Sequence, residues 1–168
     1  MASTTADPVE AKIETEFVKL DLNKDGHLDW SDYEILIDRY RKTSRVGDGD
    51  RRIKALRAFY QMHWAELLRH AGVDKDRLSK EQFVSATRKV TEDTSRINVT
   101  EAGGHVIFDL IDVDGDGEIS ADELSRYMQG VWQIKESDAS YAMQELDRDG
   151  NQSISREEFV SGVRDHLQ

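Results

Sequence analysis

Three twelve-residue segments of the chain carry side-chain oxygens at the same spacing. They are residues 21–32, 112–123 and 147–158, and in each of them positions 1, 3, 5, 9 and 12 are Asp, Asn, Ser or Glu. Calcium is a hard cation that takes six to eight oxygen ligands at about 2.3–2.6 Å. A loop of this length supplies them from these positions and from the backbone carbonyl at position 7. The spacing therefore predicts three calcium sites.

The candidate ligands are six groups in each segment. The first segment contributes Asp21, Asn23, Asp25, the carbonyl of His27, Asp29 and Asp32. The second contributes Asp112, Asp114, Asp116, the carbonyl of Glu118, Ser120 and Glu123. The third contributes Asp147, Asp149, Asn151, the carbonyl of Ser153, Ser155 and Glu158. Eleven of these groups are carboxylates, which repel one another without a metal, so binding is expected to stabilise the fold.

Two of the segments keep the spacing but differ at one position from the residue type that a calcium loop favours. Asp32 stands at position 12, where the other two segments have a glutamate that is one methylene longer. A six-coordinate arrangement that also accepts magnesium is therefore an alternative for the first segment. Gln152 stands at position 6, where a sharp turn favours glycine, and a non-glycine residue at positive φ costs about 1–2 kcal/mol. Reduced affinity for calcium is therefore expected in residues 147–158, the fourth loop in chain order once the copy at residues 71–82 is counted.

A fourth copy of the pattern lies at residues 71–82. Leu78 and Phe83 keep the five-residue spacing that Ile154 and Phe159 have around the end of another copy. Positions 1, 3, 5 and 12 of this copy hold no carboxylate: they are Ala71, Val73, Lys75 and Gln82. Because Lys75 would place a cation where the ion should lie, this segment is expected to bind no metal.

The chain around these segments has the periodicity of helices. Apolar residues recur every three or four positions, as Ile13, Phe17 and Leu20 do before the first segment, which predicts an all-α protein. An oxygen-rich loop of twelve residues between two helices resembles the EF-hand family. That resemblance implies four EF-hand helix–loop–helix units in two paired lobes, residues 1–92 and 93–168, that form one compact domain.

The arrangement of the four copies narrows the resemblance. In chain order, the first interval between copies is long, the second loop (residues 71–82) is degenerate, and the other three loops keep their ligands. This arrangement is similar to that of the sarcoplasmic calcium-binding proteins and the calerythrin-like group. This implies an intracellular calcium buffer or carrier rather than an enzyme. The alternative is a sensor that exposes an apolar surface to a target protein. The four methionines, few for an adaptable surface, favour the buffer.

Composition limits the partners that the chain can have. It has 34 acidic against 23 basic residues and a formal charge of -11, which disfavours nucleic acid and anionic lipid and suits cations. The absence of cysteine excludes disulfides and thiolate metal sites. Without a visible signal peptide or apolar run of ~20 residues, a cytoplasmic monomer is expected. No catalytic motif was found, so an enzyme is not expected.

Two further features leave alternatives open. Three tryptophans, several tyrosines and five histidines suggest a luciferin-type ligand cavity, as in photoproteins with a degenerate second loop, but helical core packing explains most of these residues equally well. The stretch from Arg39 to Arg57 is basic in an otherwise acidic chain. It is interpreted as a solvated helix–turn–helix, with a docking face for an acidic partner as the alternative.

Overall fold

A computed structural model describes residues 7–92 and 97–167 of the chain. In these ranges it contains eight α-helices and four three-residue strands. The first half contains α1 (Pro8–Leu20), β1 (His27–Asp29), α2 (Trp30–Ser44), α3 (Arg51–Ala71), β2 (Arg77–Ser79) and α4 (Lys80–Glu92). The second contains α5 (Ile97–Ile111), β3 (Glu118–Ser120), α6 (Ala121–Trp132), α7 (Glu136–Leu146), β4 (Ser153–Ser155) and α8 (Arg156–Leu167). None of the helices in these ranges is both long and apolar enough to cross a membrane.

Each twelve-residue loop lies between two helices, and its positions 7 to 9 form the short strand. The strands pair antiparallel, β1 with β2 and β3 with β4, so the four loops form two pairs. The aliphatic residues at position 8 face each other across the ladders, Leu28 opposite Leu78 and Ile119 opposite Ile154. All four are fully buried. The predicted all-α fold with four paired helix–loop–helix units is confirmed.

The chain divides into two compact units whose bounds cut through α2 and α3. The first comprises Met1–Leu36 and Met62–Thr94, and the second comprises Ile37–Gln61 and Ser95–Gln168. In the first unit, α1 packs on α4 with the rings of Phe17 and Phe83 5.6 Å apart. In the second, the core around β3 and β4 consists of Phe108, Ile111, Ile119, Leu124, Ile154 and Phe159. The sequence division at 92 and 93 therefore stays a prediction, since residues 37–61 group with the later half.

Residues 37–61, called here the inserted segment, pack on α5 and α6 within the second unit. Ser44 donates its hydroxyl to the Leu110 carbonyl at 2.9 Å, and Arg39 donates to the Val131 carbonyl at 3.1 Å. The hydroxyls of Tyr40 and Tyr127 lie 3.2 Å apart. The apolar side of the segment is buried through Ile37, Tyr40, Ile53, Leu56 and Tyr60. The basic stretch is therefore a helix–turn–helix, but its apolar side is packed on α5 and α6, a contact that its interpretation as a solvated element did not include.

Three of the eight basic residues in the inserted segment form ion pairs with acidic residues of the same segment. Arg41 lies 2.6 Å from Asp38, and Lys42 lies 2.9 Å from the same carboxylate. Arg52 pairs with Asp50 at 3.0 Å, just before α3 begins. Ion pairs in contact with solvent contribute little to stability, but these pairs reduce the cationic field that an acidic partner would meet.

The contact between α2 and α6 depends on a glycine. A Cβ on Gly130 would lie 2.3 Å from the Oγ1 of Thr43 and 3.1 Å from its Cβ. We expect Gly130→Ala to lower the free energy of unfolding by about 1–3 kcal/mol in urea denaturation, because the methyl group must displace Thr43. In a Thr43→Ala background most of this cost should vanish. An equal cost in both backgrounds would contradict the assigned packing.

Candidate metal centres

The structure brings most of the predicted carboxylates together in three clusters, one in each oxygen-rich loop. Within a cluster, one oxygen of every side chain lies within 4.8 Å of the others. The clusters are Asp21, Asp25 and Asp32; Asp112, Asp114, Asp116 and Glu123; and Asp147, Asp149 and Glu158. Asp29, the predicted position 9 carboxylate of the first loop, lies outside its cluster and accepts from the Ser31 amide at 3.0 Å. Position 9 often reaches the ion through water, so this placement suits the motif.

Local hydrogen bonds explain why each loop folds around its own side chains. The oxygen at position 3 accepts from the amide at position 5, and the oxygen at position 5 accepts from the amide at position 7. In the first loop these bonds join Asn23 to Asp25 at 3.2 Å and Asp25 to His27 at 2.9 Å. The carboxylate at position 1 accepts from the amide at position 6, at 3.0, 2.9 and 2.8 Å in the three loops. The chain therefore turns its side-chain oxygens inward.

The residue at position 12 closes each loop through backbone amides. Glu123 accepts from Val113 at 2.8 Å through Oε2 and from Ser120 at 3.0 Å through Oε1. Glu158 makes the same bonds to Arg148 and Ser155, at 2.8 and 2.9 Å. The backbone amides of the same glutamates donate to the hydroxyls of the serines at position 9, both at 3.1 Å, so Ser120 and Ser155 also cap α6 and α8.

Asp32 reaches most of the same partners despite its shorter side chain. Its Oδ1 accepts from Asn23 at 3.1 Å and its Oδ2 accepts from Asp29 at 3.0 Å. The bond to the amide at position 2, which both glutamates make, is not among its bonds. Asp32 is also almost fully buried, at 1% exposure, and burial raises its pKa. Both carboxylate oxygens are held in the first loop, although less extensively than in the other two.

Among the residues that the structure describes, two buried carboxylate oxygens have no hydrogen-bond donor. They are Oδ1 of Asp112 and Oδ1 of Asp147, both at position 1 of their loops. A buried polar atom without a partner costs about 1–3 kcal/mol, so natural proteins rarely leave one. Each atom belongs to a cluster of inward-facing carboxylates, where a divalent cation would supply the missing partner. The donor sets of the third and fourth loops therefore fit calcium.

The carboxylate cluster of the third loop, residues 112–123, resists full ionisation. Burial, together with the nearby charge of Glu123, raises the pKa of Asp112 to about 6, although the hydrogen bond from the Gly117 amide opposes this shift. Like charges held close in a partly dry site favour a proton or a metal ion on one of them. This local repulsion is what a bound cation would remove.

The turns follow the expectation for position 6. Gly26 and Gly117 have φ of 80° and 86°, and Gln152 takes the same left-handed conformation with φ of 66°. The predicted strain at Gln152 is therefore present in the backbone. Lys24, at position 4 of the first loop, also has a positive φ of 57°, which the sequence reasoning did not anticipate. Glycine occupies that position in the other two oxygen-rich loops.

The second loop, residues 71–82, keeps the strand and loses the ion-binding turn. The side-chain Oε1 of Gln82 accepts from the Ser79 backbone amide at 2.8 Å. The backbone amide of Gln82 donates to the Ser79 hydroxyl at 3.2 Å, so the loop is closed in the same way as the others. Positions 4 and 6, which have positive φ in the other loops, do not have it here; Gly72 at position 2 does. The loop thus retains its role in the ladder with a different backbone path. That it binds no metal stays a prediction.

Sequence reasoning missed one charged residue of the first site. Arg77 of the second loop lies opposite Asp29 in the ladder, and its Nη2 is 3.5 Å from Oδ2 of Asp25. The antiparallel pairing of the loops could have predicted this approach, since it places position 7 of one loop beside position 9 of its partner.

Comparisons with known families agree with this geometry. Profiles of the EF-hand domain pair match residues 104–164 and 74–131, and an EF-hand profile matches residues 13–37. A probable calcium-binding protein of Arabidopsis thaliana is 38% identical over 64 residues, which cover 38% of this chain and 77% of the relative. The chain belongs to the EF-hand family.

Longer relatives match nearly the whole chain. Calerythrin of Saccharopolyspora erythraea is 24% identical, with 92% of this chain and 89% of calerythrin covered. The luciferin-binding protein of Renilla reniformis is 29% identical, with 93% and 84% covered. A solved structure of a Streptomyces coelicolor calcium-binding protein superposes with a TM-score of 0.77 at 24% identity, covering 95% of this chain and 97% of that one. The predicted resemblance to the calerythrin group is confirmed.

The raised pKa of Asp112 predicts proton release at the third loop. Because its folded pKa of about 6 exceeds the ordinary value of 3.8, the metal-free protein keeps this proton at a pH where an unfolded chain has lost it. Calcium needs the carboxylate, so binding near pH 6 should release roughly half a proton from Asp112, and almost none near pH 7.5. Calorimetry at each pH in two buffers of different ionisation enthalpy measures the release. Equal release at both pH values would contradict the assignment.

Proposed function

We propose that the chain binds three calcium ions in its first, third and fourth loops and acts as a calcium buffer or carrier. The observation that carries the proposal is the set of three carboxylate clusters, two of which contain a buried oxygen without a protein donor. The proposed ligands are the six groups of each loop: Asp21, Asn23, Asp25, His27, Asp29 and Asp32; Asp112, Asp114, Asp116, Glu118, Ser120 and Glu123; and Asp147, Asp149, Asn151, Ser153, Ser155 and Glu158. His27, Glu118 and Ser153 would contribute backbone carbonyls from β1, β3 and β4.

Magnesium is a proposed competitor at the first loop. Magnesium requires six ligands near 2.0–2.1 Å in a regular octahedron, whereas calcium accepts more ligands at longer distances. The shorter Asp32 suits a single ligand oxygen at position 12 better than two. The other loops end in glutamate, so calcium should be favoured more strongly there.

The buffer interpretation rests on how the second unit covers its own apolar surface. A calcium sensor needs a groove that opens to receive an amphipathic target helix. Here, α5 and α6 are already covered by the inserted segment, through Ser44 on Leu110 and Tyr40 on Tyr127. This contact is specific, since it combines hydrogen bonds with two aromatic rings whose centres lie 5.8 Å apart. The inserted segment thus covers the surface on which a target helix would otherwise bind.

The same packing argues against a luciferin-type ligand in the second unit. The Tyr127 hydroxyl accepts from the indole of Trp132 at 2.9 Å and bonds to Tyr40. Beside it, the cavity lined by Tyr40, Leu110, Tyr127 and their neighbours has a volume of only about 10 Å³. A space of that size is about one water molecule, far below the roughly 300 Å³ of a typical ligand pocket. The aromatic side chains here bond to one another.

Stoichiometry tests the metal sites directly. Calorimetric titration should give three calcium ions for the unmodified chain and two for Glu123→Gln, since position 12 supplies two of the oxygens around the ion. Glu118→Gln is the matched control and should still give three, because position 7 supplies its carbonyl. Calcium should also raise the melting temperature as carboxylate repulsion is removed. A fourth ion in residues 71–82, or an unchanged melting temperature, would count against the proposal.

Dye binding separates a buffer from a sensor. If calcium stabilises the fold without opening the surface under the inserted segment, fluorescence of an apolar dye should fall or stay level as calcium is added. Tyr40→Ser removes the ring and the hydroxyl that lies against Tyr127, so it should raise dye binding and thereby verify that the dye detects this surface. A calcium-dependent rise in the unmodified chain, with capture of a helical target peptide, would favour the sensor.

A further inference from the structure

The degenerate second loop brings a cation to the first loop. Arg77 lies in β2, opposite Asp29 of β1. Its guanidinium extends toward Asp25, with Nη2 3.5 Å from Oδ2. The amide of Arg77 donates to the carbonyl of Lys75 at 2.8 Å, a turn of the second loop that ends where the strand begins. The ladder therefore fixes the backbone from which this side chain reaches the first loop.

The oxygen that Arg77 meets is the one that Asp25 has available for an ion. Oδ1 of Asp25 already accepts from the His27 amide at 2.9 Å. Asp25 also belongs to the cluster with Asp21 and Asp32. A guanidinium within ion-pairing distance of that cluster partly neutralises it and repels any second cation that enters.

The other pair of loops has no such cation at the equivalent position. The residue at position 7 of the fourth loop is Ser153, a neutral side chain that donates to Glu118 at 3.0 Å. The two pairs thus share the same ladder geometry and differ in the charge that the second member of each pair presents to the first.

We propose that Arg77 is a tethered counter-ion of the first loop that lowers the loop's affinity for calcium and makes that affinity dependent on salt. The inference rests on the proposed function of residues 21–32 as a calcium site. A divalent ion that binds there must displace the guanidinium from Asp25 and then tolerate a fixed positive charge nearby. The side chains of Arg77 and Asp25 are 48% and 35% exposed, so dissolved ions screen the effect. The degenerate loop thereby regulates its partner instead of binding an ion itself.

Calorimetry on the full chain can isolate the first loop. In a background with Glu123→Gln and Glu158→Gln, the remaining calcium binding reports residues 21–32. Arg77→Gln should tighten this binding by about 3- to 10-fold at an ionic strength of ~0.02 M, and the gain should shrink to less than ~2-fold near 0.5 M. Arg77→Lys keeps the charge and should stay close to Arg77 in affinity. A residue that only shaped the loop would not give this salt dependence.

Arg88→Gln is the matched control. It makes the same chemical change in the same unit and removes an ion pair with Asp7 and Glu10, away from the first loop. Its calcium affinity should equal that of the parent. If the double-glutamine background unfolds, titration of the otherwise unmodified chain serves instead, where Arg77→Gln should tighten one of three affinities.

The outcomes distinguish this inference from the proposed function. Binding at the first loop with equal or weaker affinity in Arg77→Gln overturns the role of Arg77 and leaves the site in place. Equal tightening by Arg88→Gln also overturns it, because net charge alone would then explain the effect. Failure of the folded background chain to bind calcium at all, with or without Arg77, removes the first site from the proposed function and this inference with it.

Discussion

Repulsion between carboxylates gathered in short loops is the constraint on which the rest of this structure depends. Each cluster holds three or four carboxyl groups within 4.8 Å, and burial leaves Asp112 with a pKa of about 6. Backbone amides at positions 5, 6 and 7 offset part of the cost, but they leave Oδ1 of Asp112 and Oδ1 of Asp147 without a donor. The remaining repulsion destabilises the metal-free fold, and a cation bound among the carboxylates would remove it.

The same side chains that crowd the ion site also hold the helices to the loops. Glu123 and Glu158 accept from their loop amides and, together with the serines at position 9, cap the helices that follow. The residue that closes each loop is therefore coupled by hydrogen bonds to the start of the next helix. The buried pairs Leu28 with Leu78 and Ile119 with Ile154 extend that coupling across each ladder. In the second loop Gln82 makes the same closure without a carboxylate, so the ladder survives the loss of the site.

The sequence predicts the parts of this molecule that obey local rules. Loop positions, the left-handed Gln152 and the degenerate loop all follow from spacing, because each depends on residues within one twelve-residue segment. Contacts between distant segments did not follow. The packing of Tyr40 on Tyr127 and the approach of Arg77 to Asp25 join residues 87 and 52 positions apart. The predicted position 9 ligand Asp29 also turned toward Ser31, a choice among local partners that composition does not decide.

The inserted segment restricts the conformational change that calcium binding could drive in the second unit. In a chain whose apolar surface is vacant, that free energy can be used to change the angle between helices and expose a groove. Here Ser44 and Arg39 bond to backbone carbonyls of α5 and α6, and Gly130 admits Thr43 at a distance that no larger residue allows. Opening that surface would break these bonds and expose the buried rings, so a ligand would have to bind the open state much more tightly to favour it. Under the proposed buffer function, calcium relieves the carboxylate repulsion without this movement, and the surface stays covered.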